Sequence, residues 1–232
     1  MDAYRVLVLA HIAAGSVALV SFWIAAFARK GGPLHKRVGK AYLLAMLGVL
    51  ASALPMALVF IARGRINIGV FLGYLVVITG TSVWLGWRAI QLKRNVLGYH
   101  DPRFKQVAIA NLIAGLAVFG FGIQVGSALL SGFCWVGIII GISMLRQLRS
   151  LPTARNWWLR EHYRAMLGNG VATHIAFLGI GLNGFLSSFG IPMLQLVPWF
   201  APLVVAGIAS VYLDRRYGAP TSAAGALPTA AR

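Results

Sequence analysis

Acidic side chains are nearly missing from this sequence: four Asp or Glu stand against 21 Lys or Arg in 232 residues, a formal net charge of +17. Charged residues of either sign make up only 11% of the chain, where an average soluble domain carries about 25%. With 59% hydrophobic residues, this scarcity excludes an ordinary soluble domain and a disordered chain alike. Nor does the positive charge point to nucleic acid, because the basic residues fall between long apolar runs instead of covering a polar surface. A single cysteine, Cys134, leaves no intrachain disulfide to form. There is no glycine-rich phosphate loop and no convincing Ser-His-Asp order. No carboxylate falls within an apolar run, which weighs against an ion-coupled transporter.

What is present is a series of runs long enough for a helix to cross a bilayer, about 20 apolar residues each. They cover residues 6–28, 41–62, 68–90, 165–187 and 191–213, and residues 107–145 hold two short spans with a turn near Leu130–Ser131–Gly132. Seven spans result. The first run is too long for a secretory signal, and its basic residues follow the apolar core instead of preceding it, so it reads as an uncleaved span. Basic residues mark the cytoplasmic loops, because positive loops resist translocation. Eighteen of the 21 fall in alternate loops and the C-terminal segment and three on the opposite side, which predicts the N-terminus outside and the C-terminus in the cytoplasm. The expected fold is all-α: a seven-helix transmembrane bundle over 1–217, with a disordered cytoplasmic tail over 218–232.

Glycine pairs one turn apart, Gly69/Gly73, Gly122/Gly126 and Gly137/Gly141, suit close helix packing in lipid. Pro55, Pro198 and Pro202 should kink their helices. Ionisable groups at membrane depth carry more information, because they are costly there. His11 and His174 fall within spans. His35, His100 and His162 each stand just before an even-numbered span, and Asp101 and Glu161 are each adjacent to one of them. These recurrences suggest three repeated hairpins followed by a seventh helix.

Two cofactors suit these residues. Imidazoles on different helices can ligate a haem from both sides. His11 and His174 each have a glycine one turn away, Gly15 and Gly170, which leaves room for a flat ligand. Their expected levels differ by roughly 12 Å. His162 lies 12 residues before His174, roughly 18 Å along a helix, a spacing suited to a second haem held by His162 with His35 or His100. Alternatively, His35, His100, Asp101, Glu161 and His162 share one depth, and three imidazoles with two carboxylates are a donor set for zinc.

The segment His11-Ile-Ala-Ala-Gly15, followed by His35-Lys-Arg-Val-Gly39-Lys-Ala-Tyr42, resembles a bacterial family of predicted multi-span membrane proteins. That family is known only as a domain of unknown function, with a His-[Lys/Arg]-x-x-Gly-[Lys/Arg]-x-Tyr motif. Glu161-His162-Tyr-Arg-Ala-Met166 is similar to its His-x-x-x-Met segment at a late helix. The likeness runs from about residue 9 to 185. An arginine usual late in that helix has no counterpart; His174 stands in its region. The resemblance implies a multi-span bundle and supplies no activity.

The sequence thus leads to a haem b-binding electron-transfer protein of the bacterial inner membrane, with the lipid bilayer around it and a redox partner or quinone to exchange electrons. Two alternatives stand beside it. One is a zinc-dependent membrane hydrolase, although the hydrolases of this architecture carry a histidine pair in the last helix and residues 191–213 hold none. The other is a small-molecule transporter or a structural membrane subunit.

Overall fold

The computed structural model describes residues 2–181 and 183–217. The expected tail at 218–232 lies outside them. Within them the chain is helical throughout, with no strand among the described residues. In chain order the helices are α1 (Ala3–Phe27), α2 (Pro33–Ala62), α3 (Ile66–Gln91), the single turn α4 (Val96–Tyr99), α5 (Pro102–Gln124), α6 (Ala128–Arg149), α7 (Trp157–Gly181), the short α8 (Asn183–Ser187) and α9 (Val197–Tyr217). A 3-10 turn over Pro192–Leu196 leads into α9.

Local chemistry sets the boundaries. The carboxylate of Asp2 caps α1 by accepting the Tyr4 N–H. α2 opens on Pro33, where a missing N–H costs no hydrogen bond. Asp101 caps α5 by accepting the Phe104 N–H at 3.0 Å. Of the prolines, Pro55 lies inside α2 and Pro202 inside α9. Pro198 falls in the first turn of α9, so it starts that helix and is not placed to kink it. The turn between α5 and α6 is at Val125–Gly126–Ser127, earlier than the sequence suggested. Gly126 takes φ +64°, which L side chains avoid, and the Ser127 hydroxyl then accepts the Leu130 N–H. Leu130, Ser131 and Gly132 are already helical.

Six helical segments are long and apolar enough to cross a membrane: 3–27, 33–62, 66–91, 96–124, 128–149 and 193–217. Their outward faces carry large apolar side chains such as Ile12, Val20, Leu58, Ile113, Ile139 and Val204, and so much exposed apolar surface suits lipid, not water. α7 is as long as α1, at 25 residues, but too polar to join the six. It carries Arg160, Glu161, His162, Arg164, Asn169, Thr173 and His174.

α7 is also the hub. The pairs α1/α2 and α5/α6 form antiparallel hairpins, and α2 packs on α3. α7 does not fold back on α6 as a third hairpin would require; it packs mainly on α3 and α9 and also touches α1. The polar helix is thereby enclosed by apolar ones. Polar anchors fix the seams. The Tyr74 hydroxyl on α3 donates to the Cys134 carbonyl of α6 at 2.9 Å and accepts the Gly137 N–H at 2.8 Å. Asn111 on α5 donates to the Thr81 hydroxyl of α3 at 2.7 Å. At Gly141 a side chain would meet the Ala108 carbonyl at 2.7 Å, so the α5–α6 approach requires glycine there.

Candidate functional site

The α1–α2, α3–α5 and α6–α7 connections and the end of α9 lie at one end of the bundle, which carries nearly all of the basic residues. The polar groups of α7 lead inward from this end. Glu161 and His162 are neighbours in sequence, so they point about 100° apart around the helix and serve two different clusters.

On one side, Glu161 meets the start of α5 and the end of α6. Gln147 donates to its carboxyl at 3.3 Å and Tyr99 at 3.4 Å. His100 donates from Nδ1 to the Val96 carbonyl at 2.8 Å, and its Nε2 lies 3.2 Å from the Gln147 side-chain oxygen. Burial pushes the Glu161 carboxyl up, with its hydrogen-bond partners and Arg164 opposing. Asp101 holds Arg88 in an ion pair at 3.3 Å. Arg88 also donates to the Gly98 and Tyr99 carbonyls and lies over the Trp84 ring.

His162 faces the other way, toward α3 and the α1–α2 corner. Its Nδ1 donates to the Gly86 carbonyl at 3.3 Å. His35 donates from Nδ1 to the Ala25 carbonyl at 3.0 Å. The two imidazoles are near enough for a charge on one to disfavour a charge on the other. Burial, with His35 adding to it, pushes His162 below its ordinary value against the Gly86 hydrogen bond, so the ring is neutral at pH 7. A carbonyl can only accept, so in the neutral ring Nδ1 carries the hydrogen and Nε2 keeps the lone pair.

Deeper in the bundle, Asn169 and Thr173 stand seven and eleven residues beyond His162 and repeat its face. Thr173 bonds the Tyr42 hydroxyl of α2 at 3.1 Å. Asn169 is fully buried, and neither its amide nitrogen nor its oxygen has a protein partner. His174 repeats the pattern of His35 and His162: Nδ1 donates to the Gly170 carbonyl at 2.7 Å, while Nε2 is buried without a partner. Its ring stands edge-on to Phe22 and Trp23 of α1. The Phe22 ring also fills the space beside Gly170 that a flat ligand would need.

The structure does not bring His11 and His174 together. His11 bonds the Ser52 hydroxyl of α2 through Nδ1 at 2.8 Å. It stands eleven residues before Phe22 on α1, roughly 16 Å along the axis. Two axial ligands of one iron stand on opposite sides of it, each nitrogen about 2 Å away. His11 therefore drops out as the partner of His174. Nor do His35, His100, Asp101, Glu161 and His162 converge. They share one end of the bundle but split into two clusters, and among the described residues no group of three or more His, Cys, Asp or Glu is arranged to hold a metal ion. His100, Asp101 and Glu161 are already engaged by neighbouring protein groups.

His35, His162 and His174 share one feature of ligating histidines. Metal-ligating histidines bind through one nitrogen while the other is fixed by a carbonyl or carboxylate, which sets tautomer and ring orientation. Backbone carbonyls do this at all three positions, and the orphaned Nε2 of His174 is a buried lone pair without use inside the protein. Sequence reasoning missed Tyr99, Gln147 and Asn169. Of these only Asn169 had a signal, its placement seven residues beyond His162 on a helix.

No family model, no curated protein and no solved structure matches this chain. The class is defined by the fold itself: an integral membrane helical bundle built around one polar helix.

Proposed function

We propose that the chain is a haem b-binding electron-transfer protein of the bacterial inner membrane, in which His35 of α2 and His162 of α7 would hold one haem. The observation that carries this reading is that each of the two imidazoles is fixed through Nδ1 by a backbone carbonyl and that the pair is near enough for a charge on one to disfavour a charge on the other. A haem held this way would supply a one-electron carrier at the basic end of the bundle. The Ala25 and Gly86 carbonyls orient the rings. Lys36 and Arg37, next to His35 and exposed, supply cations for propionates. His174 offers a further ligand deeper in the bundle, and Asn169 a donor and an acceptor between the two levels.

In this reading α7 from residue 165 onward is the span that completes the seven, tolerated in lipid because α1, α3 and α9 cover it. The basic end faces the cytoplasm, so the N-terminus lies outside. Membership of the bacterial family with the His-[Lys/Arg]-x-x-Gly-[Lys/Arg]-x-Tyr motif belongs to the same proposal, since His35 opens that motif. Exchange with a quinone or a redox protein would occur at the basic end.

The test is the absorption spectrum of protein purified from haem-replete cells, oxidised and then reduced with dithionite. A Soret band that sharpens and shifts on reduction is expected. Its absence from stable, folded protein overturns the proposal.

A further inference from the structure

The segment following α3 and the loop between α6 and α7 enclose a cleft of about 490 Å³, lined by Lys93, Arg94 and Arg155 together with Trp157 and Trp158. The Lys93 ammonium lies 5.8 Å from the centre of the Trp158 ring. The chain has four acidic side chains, and each is committed elsewhere. Asp101 pairs with Arg88, and Asp214 with Arg160 and Arg164. Glu161 is engaged by Gln147 and Tyr99, and Asp2 caps α1 at the opposite end. No acidic side chain of this protein can therefore neutralise the cleft. Three cations gathered around a concavity are left for an anion from outside. The first turn of α7 opens at Trp157, so the positive end of its dipole adds to the attraction.

The surroundings suit an amphiphile. Indole rings settle at headgroup level in a membrane, and the cleft lies at the basic end where the apolar helices stop. Leu97, which follows the lining residue Val96 in sequence, is 70% exposed. We propose that this cleft binds the phosphate headgroup of an anionic phospholipid, with Lys93, Arg94 and Arg155 around the phosphate, the two tryptophans beside the glycerol region and Leu97 toward the acyl chain. Three cations at membrane-surface strength correspond to a preference over zwitterionic lipid of the order of a hundred-fold.

The test is native mass spectrometry of the full chain in detergent, titrated with phosphatidylglycerol, phosphatidylcholine or inorganic phosphate. The wild type is compared with a cleft variant (Lys93→Gln, Arg94→Gln, Arg155→Gln) and with a charge-matched variant at exposed positions away from the cleft (Arg29→Gln, Arg103→Gln, Lys105→Gln). The expected result is tight retention of one phosphatidylglycerol by the wild type and the charge-matched variant, weaker by at least tenfold in the cleft variant, at unchanged melting temperature. Equal weakening in both variants reduces the effect to net charge and overturns the proposal. So does displacement of the lipid by millimolar inorganic phosphate, which assigns the cleft to the free anion. If the cleft variant unfolds, Arg155→Gln alone is used; retention of the lipid at wild-type strength then contradicts the site.

Discussion

At His162 the same features serve structure and chemistry. Burial and the neighbouring His35 push this imidazole below its ordinary value of 6.5. A lowered value means that the folded chain binds the proton less well than the unfolded chain. The stability contributed by His162 is therefore fully present above about 6.5 and is lost as pH falls through the folded value. Melting temperature of haem-free protein in one detergent should fall as pH drops below 6.5, and His162→Gln should flatten that limb. An unchanged slope in the variant would remove His162 as the cause. Glu161 has the opposite sign. Burial raises it above its ordinary 4.5, so its contribution is present at low pH and lost as pH rises through the folded value. Glu161→Gln should accordingly melt higher than wild type at neutral pH while retaining the Gln147 and Tyr99 contacts. The histidines themselves were legible in the sequence, because ionisable residues beside apolar runs are rare. Which carbonyl fixes which ring was not, since Gly86 lies 76 residues from His162 and nothing local announces the contact.

At the scale of elements, apolar length alone placed a helix in every long run, although α7 begins at Trp157, ahead of the expected start at 165, and the glycine pairs marked a real seam at α5–α6. Gly141 is its tightest point: a Cβ there would meet Ala108 O at 2.7 Å and Leu112 N at 3.0 Å, both backbone atoms that cannot step aside. Gly141→Leu should destabilise by roughly 1–3 kcal/mol. That is a fall of about 2–12 °C in melting temperature for a chain of this size. Gly73→Ala, which enters open space, should change little. Equal melting of the two variants would mean that the seam is not closed by glycine. The misplaced α5–α6 turn has a physical cause. Gly126 and Gly132 both mark possible breaks in an apolar stretch, and only the left-handed φ of Gly126, followed by a capping serine, ends a helix there. The pairing of α7 with α3 and α9 in place of α6 was hidden for another reason, because hydropathy gives the length of a helix and not its neighbours.

For the whole molecule, the charge asymmetry is a difference between the two ends of the bundle. Three acidic side chains brace the basic end through Arg88, Arg160, Arg164 and Gln147, and the remaining cations stay uncompensated at its surface. In the Cys134→Ser background, a cysteine at Lys36 should react with a membrane-impermeant maleimide only after cells are opened. One at Arg63 should react in intact cells. The reverse pattern would invert the bundle and place the histidine pair on the outer face. Equal reactivity of both in intact cells would break the alternation on which seven spans rest.

The central claim is that His35 and His162, and not His11, hold a haem. The most direct measurement is haem content per chain in His162→Ala and His11→Ala, purified side by side at equal folding. The account predicts that His162→Ala loses the haem of this pair while His11→Ala keeps the wild-type content, because His11 is engaged by Ser52 and lies roughly 21 Å along α1 from Ala25, whose carbonyl fixes His35. Full haem in His162→Ala, or loss confined to His11→Ala, would contradict it.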